Sequence, residues 1–574
     1  MILKAFQSVR SDERGRASFS RNGDSVTPGD AVLEVYALIA AGNLAEAERR
    51  IGHLVYTYPN NPDLQFLLGR LALKKDDNRA AAEYFENAVA LRPDHAAAYV
   101  ELAKLYRSWH ESDRAQACYE TALKLVPEVA ELHNNLGLLH LDQGRLPEAE
   151  HCFERALQLK PDLAPAMNNV GRVHSRLKQY DAAIACFRAA LAMDPSHIDA
   201  NINIGLALNG LGEQDKALAQ LEMCHRADSC RIETICGLGT TNFELRRMPQ
   251  ARQYFREALA LDADCADAHF GLANVALLQG DLAAGWEGYE WRTRLPRFAQ
   301  YYNLPEPRWG GERLNGKILL VNAEQGYGDI LMFARFLPRI SQSGATVVFR
   351  CRPALVRLLR EFPGLYRVVN AEAGETVTAD ASIPLLSLGH ALGIELADLP
   401  GSIPYLRAPR ILAKAWRAKL AGDSRFRVGL AWGGNPLRTH ERGRAPPADE
   451  YCVLAAVPDV TFYNLQVGFS AQDIANFPVP LIDLASGIED FADTAALVEN
   501  LDLVISVDTS VAHLSGAMGK PTWVLHSGIS DWRWEIAGRE SPWYPTVRLF
   551  RRHNGEWTQT LAVITEALHE ISRL

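Results

Sequence analysis

Small, aromatic and proline residues recur along the first half of the chain with a period of 34 residues. Four ladders share this period: Gly69, Ala103, Gly137, Gly171, Gly205 and Gly239; Ala81, Ala115, Ala149, Ala183, Ala217 and Ala251; Phe85, Tyr119, Phe153, Phe187 and Phe255; and Pro59, Pro93, Pro127, Pro161 and Pro195. The pattern predicts pairs of antiparallel helices, because small residues let two helices cross closely and an aromatic ring fills the gap to the next pair. A proline ends the second helix of each pair.

These ladders resemble the tetratricopeptide repeat over residues 28–297, which would hold about eight units. Arrays of this kind form a superhelical solenoid whose concave face binds other molecules. The last unit departs from the pattern in the stretch GWEGYEWR, with Trp286 and Trp291, and is predicted to join the array to the next domain. Residues 1–27 are polar and rich in Ser, Arg and Gly, and are predicted to form a disordered leader.

A ladder of asparagines runs along the first helix of three successive units, at Asn135, Asn169 and Asn203, with Asn134 and Asn168 beside it. A side-chain amide offers both a donor and an acceptor, so it can bind the backbone of an extended peptide. A similar ladder occurs in the tetratricopeptide O-GlcNAc transferases. We therefore predict that a protein or peptide acceptor binds there; alternatively, asparagine is only tolerated on the solvated side of each repeat.

Beyond the array the pattern changes to short apolar runs separated by helical stretches. Strands are predicted at residues 317–322, 346–350, 381–385, 427–432, 460–465, 503–506 and 522–525. Two alternating series of this kind predict an α/β region of two doubly wound subdomains, residues 298–410 and 411–574, with a ligand cleft at the carboxyl ends of the strands.

Composition narrows the partners and the compartment. A formal net charge of −9 over 574 residues argues against nucleic acid as a partner. No apolar run is long enough to span a membrane, and the N-terminus lacks a signal-peptide core. The nine cysteines form no CxxC pair, so neither zinc nor a disulfide framework is expected. We expect a cytoplasmic protein, with a homo-oligomer as an open possibility.

Candidate chemistry begins at the turn Gly326-Tyr-Gly328-Asp329, which follows the first predicted strand. Its glycines would let a ligand approach the backbone, and a helix N-terminus favours negative charge. A turn in which Asp329 is simply the helix N-cap would have the same sequence.

A second segment, AWGGNP, begins at Ala431 and is followed by Arg438, His440, Arg442 and Arg444. Several basic groups on a loop after a strand suit a diphosphate. A solvated basic turn is the alternative.

The third segment runs from Ser506 to Pro521, where a strand ends and a helix of small residues begins. Thr509 or Ser510 is predicted to cap that helix and to present its amide groups to phosphate or sugar oxygens. His513 is predicted to face the same opening, although a histidine at such a position is also often structural.

Residues 317–574 resemble the heptosyltransferase-like glycosyltransferases, which have the GT-B fold. The resemblance is carried by GYGD at 326–329, AWGGNP at 431–436, DTSVAHLSGAMGKP at 508–521, DWRW at 531–534 and SPWYP at 541–545. Repeats followed by such a domain resemble bacterial tetratricopeptide glycosyltransferases, including enzymes thought to modify flagellin. This implies transfer of a sugar from a nucleotide-sugar co-substrate, with no other cofactor, to a hydroxyl of a protein acceptor.

The same resemblance implies that Asp329 is the general base. The residues implied to bind the donor are Gly326, Gly328, Trp432, Asn435, Arg442, Arg444, Gln466, Asp508, Thr509, Ser510 and His513. The chain departs from the family at Arg438, Glu441 and Ala445, where related sequences often carry His, Asp and Ser, so the donor stays open. No DxD motif lies between apolar strands, and we therefore expect no metal.

Some alternatives stay open at this point. The acceptor could be a lipid or a polysaccharide, with the repeats used for assembly, or the protein could be a non-catalytic scaffold with a decayed transferase domain. Most aromatic residues of DWRW and SPWYP are predicted to be core, with Trp532 and Trp534 bordering the donor pocket as the alternative.

Overall fold

The computed structural model describes residues 28–302, 304–399, 401, 403–434, 445–467, 474, 477–528, 531–534, 538–553 and 556–573. The chain divides into two compact units, Met1–Ile204 and Gly205–Leu574. The second unit therefore contains the later repeats together with the α/β region, whereas the sequence predicts a domain boundary at residues 297–298. The predicted subdomain limits remain predictions.

The first unit is a stack of antiparallel helical hairpins. Its helices are α1 (Pro28–Ala40), α2 (Leu44–Thr57), α3 (Pro62–Lys74), α4 (Asn78–Leu91), α5 (Ala96–Ser108), α6 (Ser112–Leu125), α7 (Ala130–Asp142), α8 (Leu146–Leu159), α9 (Ala164–Arg176), α10 (Tyr180–Met193) and the start of α11 (Ile198–Leu211). The second unit continues the series with α12 (Gln214–Ala227), α13 (Ile232–Glu244), α14 (Met248–Leu261), α15 (Ala266–Leu278) and α16 (Leu282–Tyr289). In the described part of the chain these make eight hairpins, as the period predicts.

The ladders have the packing roles that the pattern predicts. A Cβ placed on Gly239 would lie 2.6 Å from the ring of Phe255, so only glycine fits at this crossing within one hairpin. On Gly271, in the next hairpin, a Cβ would lie 2.3 Å from the same ring. The aromatic residue therefore fills the gap to the following pair of helices.

A four-stranded parallel sheet follows the repeats. Its strands are β1 (Ile318–Asn322), β2 (Thr346–Cys351), β3 (Arg367–Asn370) and β4 (Ala381–Pro384), in the order β3-β2-β1-β4. Leu319 pairs with Val347 on one side and with Ala381 on the other. The accompanying helices are α17 (Tyr327–Phe333), α18 (Leu337–Ile340), α19 (Pro353–Leu359) and α20 (Leu388–Ala391).

A six-stranded parallel sheet completes the unit. Its strands are β5 (Phe426–Ala431), β6 (Val460–Asn464), β7 (Leu481–Ile482), β8 (Leu503–Val507), β9 (Thr522–His526) and β10 (Val547–Arg551). Its helices are α21 (Arg410–Lys419), α22 (Phe491–Glu499), α23 (Ser510–Ala517) and α24 (Thr558–Ile571). The order β10-β9-β8-β5-β6-β7 is that of a doubly wound sheet. The predicted parallel α/β architecture is confirmed, and β3, β7 and β10 are strands that the sequence did not predict.

The final hairpin packs directly on the α/β region. The indole Nε1 of Trp286 donates a hydrogen bond of 2.9 Å to the carbonyl oxygen of Ile394, which confirms the predicted junction. Among the described residues, no helix has both the length and the apolar character needed to cross a membrane.

Candidate functional site

A cavity of about 780 Å³ lies where the carboxyl ends of the two parallel sheets meet. Its walls include the loops that follow β1, β5, β6 and β8. In each sheet the strand order reverses at this edge, between β1 and β4 and between β5 and β8, so the adjacent loops diverge and leave a crevice. Seven of the predicted residues line it: Gly326, Gly328, Asp329, Gln466, Asp508, Thr509 and His513, and Ser510 lies among them.

Asp329 is held by hydrogen bonds to both of its carboxylate oxygens. Gly326 occupies the N-cap position of α17, and its backbone N–H donates to Oδ2 of Asp329 over 3.0 Å. Asp329 is therefore not the N-cap, as one interpretation of the sequence had it. Oδ1 accepts a hydrogen bond of 3.0 Å from Nε of Arg533 and a second from the Nη2 of the same guanidinium. This geometry fixes the carboxylate at the cavity wall.

Arg533 is a member of the site that the sequence did not predict. Its guanidinium also pairs with Asp531, over 3.0 Å, and lies 4.3 Å from the ring centre of Trp532. Burial alone would lower the pKa of Arg533, but the carboxylates of Asp329 and Asp531 raise it well above its ordinary value. Arg533 is therefore a permanent cation that joins the loop after β9 to the loop after β1.

His513 packs against Gly328 in a contact that leaves no room for another atom. A Cβ on Gly328 would lie 2.7 Å from Cδ2 of His513. The ring stacks on Trp534 at 4.9 Å, and its Nδ1 lies 3.0 Å from the hydroxyl oxygen of Tyr544. Burial lowers the pKa of His513, so near pH 7 this residue offers a hydrogen bond to a ligand rather than a positive charge.

The N-terminus of α23 also reaches the cavity. Thr509 occupies the N-cap position, but its hydroxyl oxygen lies 3.0 Å from that of Ser506 and makes no capping hydrogen bond. The predicted side-chain cap by Thr509 is therefore wrong, because the hydroxyl pairs with the end of β8 instead. Oδ1 of Asp508 accepts a hydrogen bond of 2.8 Å from the indole of Trp534, which orients the carboxylate.

Gln466 links two of the loops. Its Oε1 accepts a hydrogen bond of 2.9 Å from the backbone N–H of Gly433, and its own N–H donates over 2.7 Å to Oδ1 of Asn464. The side chain of Trp432 turns the other way and packs on Phe477, with ring centres 4.3 Å apart. The predicted donor contact by the Trp432 side chain is thereby corrected to a place in the hydrophobic core.

Three predicted donor contacts, Asn435, Arg442 and Arg444, lie outside the described residues, as do Arg438 and Glu441. The interpretation of this stretch as a diphosphate loop stays a prediction.

The aromatic residues of DWRW and SPWYP are buried: Trp532, Trp534, Trp543 and Tyr544. The prediction that most of them are core residues is confirmed. Trp534 nevertheless contacts two cavity residues, Asp508 and His513, from behind.

The asparagine ladder pairs with itself. Nδ2 of Asn169 donates a hydrogen bond of 2.9 Å to Oδ1 of Asn134, and Nδ2 of Asn203 donates one of 3.0 Å to Oδ1 of Asn168. Each amide therefore links the first helix of one hairpin to that of the preceding one. Asn168 and Asn169 are buried, so these two do not lie on a solvated side. Peptide binding by Asn135, Asn169 and Asn203 stays a prediction.

The comparisons with known proteins bear on the repeats. Family models described as tetratricopeptide repeat match residues 66–108, 96–128, 128–196, 171–227 and 236–285. The N-terminal part of the chain thus consists of tetratricopeptide repeats. Protein FlbA of Caulobacter vibrioides is 30% identical over 339 residues, which cover 54% of this chain and 56% of FlbA. The chain thus matches little more than half the length of this relative.

Three solved structures are similar over the helical part. The APC/C hetero-tetramer Cut9-Hcn1 is 17% identical, over 48% of this chain and 52% of that chain, with a TM-score of 0.39. YrrB, a repeat protein described as having an unusual peptide-binding site, is 24% identical over 33% of this chain and 96% of its own, with a TM-score of 0.25. A tetratricopeptide repeat protein from Parabacteroides merdae is 18% identical over 41% and 93%, with a TM-score of 0.37.

Proposed function

We propose that the protein is a glycosyltransferase of the GT-B type that moves a sugar from a nucleotide sugar to a hydroxyl of a protein acceptor. The observation that carries this proposal is the cavity between the two parallel sheets, which collects Asp329, Asp508 and His513 from segments far apart in the sequence. Such convergence of polar groups at the carboxyl ends of parallel strands is typical of a ligand site.

The charges around Asp329 suit a sugar better than a phosphate. Asp329, Asp508 and Asp531 line the cavity beside a single guanidinium, that of Arg533. Carboxylates accept hydrogen bonds from sugar or ribose hydroxyls but repel a diphosphate. We therefore place the sugar near Asp329, and the diphosphate towards the N-terminus of α23, where the helix dipole favours negative charge. Arg442 and Arg444 would supply the remaining positive charge.

In the proposed reaction Asp329 takes the proton of the acceptor hydroxyl as that oxygen attacks the anomeric carbon. The bond from this carbon to the diphosphate breaks, and the nucleotide diphosphate leaves with the bonding electron pair. Arg533 and the N–H of Gly326 hold the carboxylate in place, so that one oxygen can face the acceptor. No metal ion is invoked; its absence from the mechanism is part of the proposal.

The repeats are proposed to recruit the acceptor, because tetratricopeptide arrays bind other proteins on their concave face. The resemblance noted from the sequence suggests a flagellin-like protein as the acceptor. A second candidate function follows from the repeat matches themselves: a protein-binding scaffold in which the α/β region has no transferase activity. A lipid or polysaccharide acceptor has no support in the described contacts.

Calorimetry of the full chain with UDP, GDP, ADP, CMP and their sugars tests the proposal. Asp508→Asn should weaken binding of the matching nucleotide sugar about ten- to hundredfold, the usual worth of a hydrogen bond to a charged group. Asp502→Asn is the matched control, because Asp502 precedes β8 whereas Asp508 follows it, so the two carboxylates lie at opposite ends of one strand. Failure of the folded chain to bind any of these compounds would favour the scaffold.

A further inference from the structure

The final hairpin of the array carries the ladder residues of a repeat, but no further hairpin follows it. Gly285 comes 34 residues after Ala251, and Tyr289 comes 34 residues after Phe255, so both continue their ladders. Trp286 is different, because the equivalent position of the preceding unit is Arg252. The α/β region packs where a ninth hairpin would otherwise lie, and it meets these two aromatic residues.

Trp286 packs against residues beside the candidate site. Its ring centre lies 5.7 Å from that of Phe333, the last residue of α17, and 5.6 Å from that of Trp532. Both pairs meet edge to face, an arrangement that aromatic rings favour. On the other side a Cβ on Gly389 would lie 2.7 Å from the indole, so the ring fits into a slot that glycine provides.

Tyr289 reaches the loop that carries Asp329. Its hydroxyl oxygen accepts a hydrogen bond of 3.3 Å from Nε2 of Gln325, the residue before Gly326. Its ring centre also lies 6.1 Å from that of Trp532, which directly precedes Arg533. The final hairpin thus contacts both segments whose side chains form the ion pair between Asp329 and Arg533.

A buried ion pair next to this contact fastens the same loop. Nη2 of Arg292, just beyond the final hairpin, lies 2.7 Å from Oε1 of Glu324, and the two side chains are 0% and 1% exposed. Glu324 also accepts a hydrogen bond of 3.0 Å from the backbone N–H of Leu386, after β4. The charges are therefore paired and hydrogen-bonded, as buried charges require.

We propose that the end of the repeat array is a wall of the candidate site, in which Trp286 and Tyr289 are positioning residues for the loop of Asp329 and for Arg533. Three residues that follow the final hairpin, Arg297, Phe298 and Tyr301, line the cavity itself. The role in catalysis rests on the proposed function, whereas the effect on loop order does not. The last repeat then serves the site directly, in addition to any partner that the array binds.

Hydrogen exchange on the full chain tests the positioning. In Trp286→Leu, exchange of the amides in residues 324–333 and 531–534 should rise about tenfold, because two edge-to-face pairs are lost. Phe255→Leu is the control, since Phe255 is the same kind of buried ladder residue one unit earlier and packs on Gly239 and Gly271. Unchanged exchange in Trp286→Leu, or an equal rise in both variants, would overturn the proposal.

A kinetic measurement separates this inference from the proposed function. Tyr289→Phe keeps the ring and removes only the hydroxyl, so the chain should fold and kcat should fall about two- to tenfold with little change in the KM for the donor. Trp286→Phe should retain more activity than Trp286→Leu. A rise in donor KM with unchanged kcat would overturn the positioning role. A wild-type chain that shows the exchange effect but no turnover would refute the glycosyltransferase and leave the positioning of the loop supported.

Discussion

The contact between Gly328 and His513 gives the sharpest prediction from the structure. In Gly328→Ala the new Cβ would lie 2.7 Å from Cδ2 and 3.3 Å from Nε2 of His513, well inside normal contact. The ring cannot easily retreat, because it stacks on Trp534 and its Nδ1 pairs with Tyr544. Helix α17 and helix α23 must therefore move apart or the imidazole must be displaced.

The size of the effect follows from two opposing contributions. Adding a methyl group to a filled core costs about 1–3 kcal/mol of unfolding free energy. Alanine is favoured over glycine in a helix by about 1 kcal/mol at most, and by less in the first turn, where Gly328 lies. We expect a net loss of about 1–2 kcal/mol, with reduced binding of any ligand in the cavity.

Urea unfolding of the full chain, followed by tryptophan fluorescence, measures this loss. Of the 11 tryptophans only Trp109 precedes residue 205, so the signal reports mainly on the unit Gly205–Leu574. Gly422→Ala is the control, because a Cβ there meets no atom within 4 Å. The reasoning is refuted if the two variants lose equal stability. It is also refuted if His513→Ala does not relieve the cost of Gly328→Ala in the double variant.

Three further perturbations follow from buried polar groups. Asn169→Ala should cost about 1–3 kcal/mol, because it leaves Oδ1 of Asn134 buried and unpaired, whereas Asn135→Ala should change stability by less than about 0.5 kcal/mol; equal losses in urea unfolding would contradict the inter-repeat pairing. Burial lowers the pKa of His526 from 6.5 to about 4. Its contribution to stability is therefore complete above pH 6.5 and is lost as pH falls towards 4. In His526→Gln the fall in unfolding free energy between about pH 7 and pH 4.5 should be smaller by about 2–3 kcal/mol, and parallel pH profiles would contradict this. Arg533→Gln should destabilise the chain by about 3–5 kcal/mol because it leaves two carboxylates uncompensated, and an unchanged urea midpoint would exclude a structural role for the ion pairs.

The repeats could be predicted from the sequence because each hairpin is a local structure and the period multiplies the signal. A single glycine such as Gly69 says little, but six small residues at one spacing define a helix crossing. Phe85, which meets Gly69 at the crossing, is fully buried as the ladder predicts. Nothing in the sequence indicated that the amide of Asn169 would pair with Asn134, since the pairing depends on the angle between successive hairpins.

The strands were predicted where both faces of the sheet are covered. Central strands such as β8, whose five residues are all buried, appear in the sequence as continuous apolar runs. The three strands that the sequence did not predict, β3, β7 and β10, are all edges of their sheets. An edge strand is covered less completely and is often short, so its apolar signal is weak. β7 has only two residues, and β3 begins at an exposed Arg367.

The candidate site was predictable only where its residues follow a strand. Asp329 and Asp508 come just after β1 and β8, and the carboxyl ends of parallel strands meet at one edge. Arg533 is 204 residues from Asp329, and its pairing depends on how the two sheets face one another. Trp432 was assigned to the donor because it lies in a glycine loop. Side chains alternate at the end of a strand, so its ring turns to the core while Ala431 and Gly433 line the cavity.

The most direct test of the central claim is release of nucleotide diphosphate from nucleotide sugars by the full chain, with and without a candidate protein acceptor. We predict release that an acceptor accelerates, and that falls about 10²–10⁴-fold in Asp329→Asn, the usual worth of a general base, while the donor still binds. Release that is the same in Asp329→Asn would contradict the role of Asp329. No release from any nucleotide sugar by the folded wild-type chain, with peptide binding to the repeats intact, would contradict the transferase and leave the protein-binding scaffold.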